Sequence, residues 1–177
     1  MSRPFLFCDR DGTLLHDEGY TYKVRDYRPL AGAHQALALL QDAGFGVAIV
    51  TNQSGIGRGY FDEADLGRYH AELQRDFAAH GVTLDAIYHC PHVPDAGCSC
   101  RKPATGMIER ACAEHDVDLP ASWVVGDGPG DVGLAQRAGC RSVLVLTGVG
   151  EQTRRELAGE VETAPDVLTA ARYILSR

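Results

Sequence analysis

Short, almost wholly apolar runs alternate along the chain with longer segments in which apolar residues recur every three or four positions. The short runs have the length of buried strands, and the longer segments have the period of amphipathic helices. This alternation is typical of strand–helix–strand units that build a parallel sheet. The pattern predicts five strands: PFLFCD (4–9), GVAIVTN (46–52), AIYHC (86–90), WVVGD (123–127) and RSVLVLT (141–147).

Helices are predicted between these strands and after the last one. Gly44, Gly81 and Gly139 are predicted to end three of them, since glycine readily adopts the left-handed conformation found just past a helix. The predicted helices span 31–43, 62–80, 106–116, 131–138 and 165–175. We expect one α/β domain over 1–177, with a Rossmann-like, doubly wound parallel sheet.

The chain carries a net charge of −7. Binding to a nucleic-acid backbone depends on clustered lysine and arginine, so this balance argues against a nucleic-acid partner. We see no signal sequence and no apolar run near the roughly 18 residues of a membrane span. A cytoplasmic protein without a membrane partner is therefore expected. In that reducing compartment its six cysteines are better explained as metal ligands or buried thiols than as disulfides.

Two long irregular stretches, 14–30 and 90–105, follow predicted strands. Long loops in compact domains are usually functional, and open α/β folds bind ligands at the carboxyl ends of their strands. Polar residues also cluster at four such ends. Each cluster alone could be an ordinary turn, but the four together, in this order, predict a common site. The clusters are Asp9 with Asp11, Thr51 with Asn52, Lys102, and Asp127 with Asp131.

The order of these motifs resembles the haloacid dehalogenase (HAD) superfamily of phosphatases: D-x-D-G-T, a strand that ends in threonine, a lysine, and G-D-x-x-x-D. The resemblance extends from Phe5 to about Leu146. It implies a phosphoric monoester hydrolase in which Asp9 is the nucleophile and Asp11 the general acid and base. Two carboxylates at one strand end project into the same loop, so hydrolysis can proceed in two easier steps through an aspartyl-phosphate on Asp9.

A bound cation is also expected at this site. A carboxylate that attacks a phosphate dianion meets a repulsion of about 4 kcal/mol for unit charges 4 Å apart at an effective dielectric of 20. Mg²⁺ prefers oxygen ligands, and the carboxylates of Asp9 and Asp127 with the backbone carbonyl of Asp11 would suit it. Asp131 is expected to support the metal site without direct ligation.

Three further residues are expected to bind the transferred phosphate. Lys102 would neutralise the phosphoryl group and steady Asp9, and the Thr51 hydroxyl with the backbone N–H of Asn52 would bind its oxygens. Predicted helices and short loops largely fill the segments before and after Thr51. We therefore expect no cap domain and an open site.

A second candidate metal site lies in the loop that precedes Lys102. Four ligands within eleven residues would suit a closed, tetrahedral, structural Zn²⁺ site: Cys90, His92, Cys98 and Cys100. Reduced thiols without a metal, or a strained disulfide between Cys98 and Cys100, remain alternatives. His89 could compete as a ligand, but strand alternation directs it away from Cys90. The remaining cysteines fall in predicted strands or helices and are predicted core thiols: Cys8, Cys112 and Cys140.

Several longer motifs resemble one branch of the superfamily, the D-glycero-D-manno-heptose 1,7-bisphosphate 7-phosphatases. These are CDRDGTL, DEGY, TNQSGIGRGYF and C-x-H…C-x-C-R-K-P. Histidinol-phosphate phosphatases share the cysteine motif and remain the nearest alternative; DEGY favours the heptose branch. The resemblance implies substrate contacts at Asp17, Gly19, Tyr20, Asn52, Gln53 and Ser54, beside Thr51.

Arg101, next to Lys102, is predicted to bind the second phosphate of a bisphosphate. A planar guanidinium suits bidentate phosphate binding, although an exposed, solvated arginine is the alternative. Gly128 departs from the family pattern, because related enzymes commonly carry lysine there.

Two functions of other kinds remain open. One is a zinc-containing binding module with an idle active site, against which the complete set of catalytic residues argues. The other is a nucleic-acid 3′-phosphatase, because an open site admits polymers, although the acidic balance disfavours it. We expect a monomer that acts on a small phosphorylated sugar.

Overall fold

The computed structural model describes residues 2–177, and its strands form one parallel sheet in the order β3-β2-β1-β4-β5-β6. The strands are β1 (Phe5–Cys8), β2 (Gly46–Asn52), β3 (Ala86–Cys90), β4 (Trp123–Gly126), β5 (Arg141–Val145) and β6 (Thr163–Ala164). Each neighbouring pair is parallel. This confirms the α/β class and the doubly wound sheet that the hydrophobic pattern predicts.

Helices fill the connections between the strands. They are α1 (Ala33–Asp42), α2 (Glu63–Ala79), α3 (Gly106–Glu114), α4 (Pro129–Ala138), α5 (Gly150–Glu156) and α6 (Val167–Leu175). The five predicted helices are present with slightly shifted ends; α4 starts before Asp131, since Pro129 suits the first turn of a helix. No helix among residues 2–177 is long and apolar enough to cross a bilayer.

The sequence pattern missed one short strand and one short helix. β6 has only two residues, too few for an alternating pattern to show. α5 reads GEQTRRE, and only Gly150 and Thr153 in it are buried, so no apolar stripe marks it. Both elements lie against β5, whose packing positions them more than their own composition does.

Two apolar layers cover the faces of the sheet, and β1 contributes to both. Phe5 and Phe7 face one layer, which includes α3 and α4, whereas Leu6 and Cys8 face the other, which includes α1, α2 and α6. Because β1 is buried on both faces, its carboxyl end is held rigidly. Asp9, the next residue, therefore starts from a fixed position at the edge of the sheet.

No separate cap domain is present among the described residues, as expected. The connection from β1 to β2 contains α1 and one 3-10 turn at Val24–Asp26, and the connection from β2 to β3 contains α2. Two loops flank the carboxyl edge instead: residues 14–30, here called the flap, and residues 90–103, here called the cysteine loop. The latter contains a 3-10 turn at Pro94–Ala96.

The prediction of three core thiols is right for Cys8, which is fully buried in β1. It is wrong for Cys112, which is exposed at the edge of the stripe that Ile108 and Ala111 bury from α3. Cys140, between α4 and β5, is half-buried.

Leu37 of α1 is fully buried in the layer on the Leu6 side of the sheet. Leu37→Ala would leave a cavity, so we expect the free energy of unfolding to fall by about 2–5 kcal/mol. Leu175, at the end of α6, is 42% exposed, and Leu175→Ala is expected to cost less than about 1 kcal/mol. Urea denaturation followed by circular dichroism measures both, and equal losses would contradict the placement of Leu37 in the core.

Candidate active site

The polar residues at the strand ends meet where the strand order reverses. β1 lies between β2 and β4, so Asp9, Thr51 and Asp127 follow or end three adjacent strands. This is the switch point at which doubly wound sheets bind ligands. A cavity of about 570 Å³ opens there.

The cavity brings together all of the residues that were predicted to act on the substrate or to hold or support Mg²⁺. They are Asp9, Asp11, Asp17, Gly19, Tyr20, Thr51, Asn52, Gln53, Ser54, Arg101, Lys102, Asp127 and Asp131. Gly128 also lines it, with Pro103, Pro129 and Gly130, which carry no polar side chain that sequence reasoning could have singled out. Residues from the flap, the cysteine loop and the ends of β1, β2 and β4 therefore share one space.

The Lys102 ammonium is buried among three oxygen atoms. It donates to Asp9 Oδ1 (2.6 Å), Asp131 Oδ1 (2.7 Å) and the Val50 carbonyl (2.8 Å). Burial alone would lower the pKa of Lys102, but the carboxylates of Asp131 and Asp9 outweigh it and raise the pKa above its ordinary value. An ammonium has three donors, so Lys102 has no N–H left for another acceptor in this arrangement.

Asp131 connects Lys102 to the start of α4. Its Oδ1 accepts from Lys102, and its Oδ2 accepts from the backbone N–H of Gly128 at 3.0 Å. A side chain at Gly126 would overlap the Asp131 carboxyl group, so this strand end needs a glycine. Asp131 thus has both oxygens engaged by the protein, which suits the supporting role expected for it.

Three carboxylates face one another at the base of the cavity: oxygen atoms of Asp9, Asp127 and Asp131 all lie within 4.8 Å of one another. Burial raises the pKa of Asp9 to about 6; Lys102 opposes this rise and Asp131 adds to it. Burial, followed by the charge of Asp9, raises the pKa of Asp127 to about 8. One ammonium does not balance three carboxylates, so these oxygens fit a hard divalent cation such as Mg²⁺.

Asp127 is held between two stretches of glycine backbone. A side chain at either Gly12 or Gly148 would overlap Asp127 Oδ2, and both glycines have a positive φ. The same oxygen accepts from the Val149 N–H at 2.8 Å, and the Thr147 hydroxyl donates to the Gly12 carbonyl at 2.6 Å. Sequence reasoning missed the turn after β5; its signal was the TGVG stretch at 147–150.

Arg10, which sequence reasoning also missed, is wholly buried and holds the Asp11 carboxylate. Its Nε donates to Asp11 Oδ1 at 2.9 Å and its Nη2 to Asp11 Oδ2 at 2.8 Å. The available signal was an arginine directly after an apolar strand, because a fully buried arginine is rare unless it is paired.

The residues after β2 support their neighbours before any ligand arrives. The Gln53 amide nitrogen donates to Asp11 Oδ2 (2.9 Å) and to Thr51 Oγ1 (2.8 Å), which leaves the Thr51 proton free to be donated. The Asn52 side chain bonds the backbone N–H and carbonyl of Lys102 at 3.0 and 3.3 Å. Gln53 and the Asn52 side chain therefore orient Asp11, Thr51 and Lys102, in addition to lining the cavity.

The flap reaches the cavity through the DEGY turn. Asp17 Oδ1 accepts from the Gly19 N–H at 2.8 Å, and Tyr20 follows with a φ of 54°, which is unusual outside glycine. The Tyr20 ring meets the Tyr60 ring edge-on at 4.8 Å. Aromatic contact thus ties the flap to the loop after β2, and Tyr60 was not recognised from the sequence.

The four predicted zinc ligands converge in the cysteine loop. Cys90 Sγ lies 3.6 Å from Cys98 Sγ and 3.1 Å from Cys100 Sγ, and His92 Nδ1 lies 3.5 Å from Cys90 Sγ and 3.2 Å from Cys100 Sγ. Ligands on a tetrahedral Zn²⁺ with Zn–S bonds of roughly 2.3 Å lie roughly 3.8 Å apart, so this arrangement fits zinc. His89 lies outside the group and contacts Glu63 at 2.9 Å.

Arg101, in the cysteine loop, connects the Cys/His cluster with the cavity. Its Nη1 is 3.4 Å from the His92 carbonyl, and it lines the cavity beside Lys102. Among the described residues, a third group of metal-type ligands is His34, Asp76 and His80. There His34 Nε2 meets Asp76 Oδ2 at 2.6 Å and His80 Nδ1 meets the Asp76 backbone carbonyl, so these contacts are explained by the packing of α1 on α2.

Comparison with known proteins agrees with this geometry. A family model described as HAD-hydrolase-like matches residues 99–171. Two curated relatives are named D-glycero-beta-D-manno-heptose-1,7-bisphosphate 7-phosphatase. The protein from Pseudomonas aeruginosa is 44% identical, over 86% of this chain and 86% of the relative. The protein from Pseudomonas putida is 43% identical, over 93% of this chain and 95% of the relative.

A solved structure resembles the chain over its whole fold. It is the D,D-heptose 1.7-bisphosphate phosphatase from B. bronchiseptica complexed with magnesium and phosphate, with a TM-score of 0.91 and 37% identity. The match covers 98% of this chain and 99% of that protein. The protein is therefore a phosphoric monoester hydrolase, and it belongs to the HAD-like family of the D-glycero-D-manno-heptose-1,7-bisphosphate 7-phosphatases.

Proposed function

We propose that the protein hydrolyses the 7-phosphate of D-glycero-D-manno-heptose 1,7-bisphosphate through an aspartyl-phosphate on Asp9. The observation that carries this proposal is the Asp9 carboxylate at the end of β1, which faces the cavity with Lys102 on one of its oxygens. The names of the relatives supply the substrate, and the charge and shape of the cavity are consistent with it. The Arg101 and Lys102 side chains bring two cations to an otherwise acidic site.

Mg²⁺ is proposed as the cofactor, held by the carboxylates of Asp9 and Asp127 and the backbone carbonyl of Asp11. The excess of carboxylates supports it, as does the magnesium in the B. bronchiseptica structure. When bound, Mg²⁺ would offset the negative charge of the phosphate as Asp9 approaches. Asp131, whose oxygens are engaged by Lys102 and Gly128, would keep these groups in place.

In the proposed first step, a carboxylate oxygen of Asp9 attacks phosphorus while the bond from phosphorus to the sugar oxygen breaks. Asp11 donates a proton to that sugar oxygen, so the alcohol leaves uncharged. The Thr51 hydroxyl and the Asn52 N–H donate to the phosphoryl oxygens, and Lys102 offsets the charge around Asp9. The product of this step is an acyl phosphate on Asp9.

In the proposed second step, water attacks the phosphorus of the aspartyl-phosphate. Asp11, now a carboxylate, accepts a proton from that water, and the bond from phosphorus to Asp9 breaks. Inorganic phosphate leaves, Asp9 regains its carboxylate, and Asp11 is protonated for the next cycle. Asp11 therefore needs an oxygen that faces the substrate throughout.

Arg101 is proposed to bind the second phosphate of the substrate, and the flap is proposed to bind the sugar. Asp17, Gly19 and Tyr20 line the cavity on the side away from the strand ends. Because no cap closes the site, these loops would supply the contacts that select a sugar. Gly128 also lines the cavity and brings no side-chain charge to it.

The cysteine loop is proposed to bind a structural zinc through Cys90, His92, Cys98 and Cys100. Burial alone would raise the pKa of Cys98, but hydrogen bonds from the Arg101 N–H and the neighbouring thiols lower it to about 6, which prepares one thiolate for a metal. Four protein ligands leave no position for a reacting water. Zinc would thus set the position of Arg101 and Lys102 and take no part in the chemistry.

The remaining proposals concern the whole molecule. We propose that one domain over 1–177 carries the complete site, and that the protein works as a cytoplasmic monomer without a nucleic-acid or membrane partner. The net charge of −7 supports the absence of nucleic acid.

A substrate panel tests the proposed function directly. We expect kcat/KM for heptose 1,7-bisphosphate to exceed that for histidinol phosphate and for a 3′-phosphorylated oligonucleotide by at least about 100-fold, since a matched substrate uses more of the site. Phosphate release is measured with each substrate at saturating Mg²⁺. A preference for histidinol phosphate would overturn the proposed substrate. Full activity of Asp9→Asn would overturn the assignment of Asp9 as the nucleophile. Asp42→Asn, on the exposed end of α1, is the matched control.

Magnesium binding should depend on pH. Without a cation the pKa of Asp127 is about 8 and that of Asp9 about 6, above the value of about 4 in an unfolded chain. The folded protein therefore binds more protons than the unfolded chain in this window, and the metal-free stability falls as pH rises from about 4 to about 8. Mg²⁺ removes that loss, so we expect it to raise the Tm by several degrees more at about pH 8 than at about pH 5.5.

Differential scanning fluorimetry with and without Mg²⁺ measures this effect. Asp127→Asn should abolish the pH-dependent increment, whereas Asp42→Asn should keep it. An Mg²⁺ increment that is the same at both pH values would contradict the coupling between these carboxylates and the cation.

The zinc proposal predicts about one Zn²⁺ per chain that survives chelation of Mg²⁺. Cys98→Ala should lose the metal and speed hydrogen exchange in residues 90–103, because the loop loses its cross-link. Cys112→Ala, at an exposed thiol outside the cluster, should keep the metal. Metal analysis by mass spectrometry that found no zinc in freshly purified, reduced protein would refute the site.

A further inference from the structure

The Arg10 guanidinium is fully buried directly behind the proposed catalytic carboxylates. Besides its two bonds to Asp11, its Nη2 donates to the Thr21 carbonyl at 2.7 Å and its Nη1 lies 3.1 Å from His70 Nε2. The guanidinium carbon lies 4.7 Å from the centre of the Tyr69 ring. Arg10 thus contacts the turn after β1, the flap and α2 at once, and little freedom remains for its side chain.

His70 contributes an acceptor and no charge. Burial, and next the nearby Arg10, lower the pKa of His70 to about 3, so the imidazole is neutral and its Nε2 can accept from Nη1. Among the contacts of the guanidinium within residues 2–177, the only anionic partner is then Asp11. A buried charge requires such a partner, so Arg10 and Asp11 hold each other in place.

The hydrogen bonds to Asp11 distinguish its two oxygens. Oδ2 accepts from Arg10 Nη2 at 2.8 Å and from Gln53 Nε2 at 2.9 Å, whereas Oδ1 accepts from Arg10 Nε alone at 2.9 Å. Each carboxylate oxygen has two lone pairs. Oδ2 is therefore saturated by the protein, and Oδ1 keeps one lone pair that can exchange a proton.

We propose that Arg10 is a positioning residue for proton transfer: together with Gln53 it holds the Asp11 carboxyl group so that Oδ1 faces the leaving group and the attacking water. This proposal rests on the proposed function, in which Asp11 is the general acid and base. Arg10 itself lies behind Asp11, fully buried, and is not among the residues that line the cavity. Its effect on the reaction passes through the orientation of Asp11.

The dependence of the cleavage rate on the leaving group distinguishes a positioning role of Arg10 from a merely structural one. An alkyl phosphate such as heptose 1,7-bisphosphate needs a proton on its leaving oxygen, whereas 2,4-dinitrophenyl phosphate releases a stable anion without one. Arg10→Lys keeps the positive charge but cannot bond both carboxylate oxygens in a fixed plane. In single-turnover measurements we expect it to slow cleavage of the alkyl phosphate by at least about tenfold more than cleavage of the dinitrophenyl ester.

Asp11→Asn is the reference for this experiment and should show the same selectivity more strongly. Arg25→Lys, at an exposed arginine of the flap, is the matched control and should leave both rates unchanged. If Arg10→Lys slows both substrates equally, or neither, while Asp11→Asn is selective, the positioning role is refuted. If Asp11→Asn itself shows no selectivity, the proposed role of Asp11 fails instead.

A second variant keeps the proposal testable if Arg10→Lys does not fold. Gln53→Met removes the other donor to Asp11 Oδ2 and replaces a buried amide by an apolar side chain of similar length. We expect the same selective loss on the alkyl phosphate, by about fivefold or more. An equal loss on both substrates would count against control of the Asp11 oxygens.

Discussion

The Lys102 ammonium lies among three oxygen atoms from three different parts of the fold: Asp9 after β1, Val50 in β2 and Asp131 in α4. Without this charge, Asp9 and Asp131 would face each other as buried carboxylates; burial raises the pKa of Asp9, and it is about 6 even with Lys102 opposing that rise. The ammonium therefore favours the anionic form of Asp9 although the carboxylate is buried. The same contacts hold the edges of β1, β2 and α4 at a fixed separation, on which the shape of the cavity depends.

Much of the cysteine loop helps to hold the Lys102 ammonium in this position. Asn52 bonds both backbone groups of Lys102, and the Ser99 carbonyl accepts from the Gly106 N–H at the start of α3. The converging side chains of Cys90, His92, Cys98 and Cys100 draw the remainder of the cysteine loop together. A dense cluster of metal-type ligands and the buried Lys102 are thus parts of one arrangement, in which the loop sets the position of the ammonium and the strand ends set the positions of the carboxylates.

Asp11 is paired in a similar way, with a buried arginine behind it. Arg10 neutralises Asp11 as Lys102 neutralises Asp9, but its planar group bonds both oxygens of its partner. The two neighbouring carboxylates are therefore bound differently. Lys102 bonds one oxygen of Asp9, which leaves space for the phosphorus atom of the proposed substrate, whereas Arg10 bonds both oxygens of Asp11. Glycines at 12, 126 and 148 let the backbone approach two other carboxylates closely, because a side chain there would overlap Asp127 or Asp131.

Local pattern by itself determined the class of fold and the strand ends, and it predicted the polar residues that line the cavity. Buried strands and amphipathic helices differ in period, and chemistry at a strand end needs particular residue types, so both leave a mark in the sequence. β6, α5 and the exposure of Cys112 left no such mark, because each depends on what packs against it. The pairing of Arg10 with Asp11, of Asn52 with the Lys102 backbone, and of Gly148 with Asp127 was likewise decided only by tertiary structure. These contacts join residues whose side-chain directions are set by the packing of distant segments, and no local period records that.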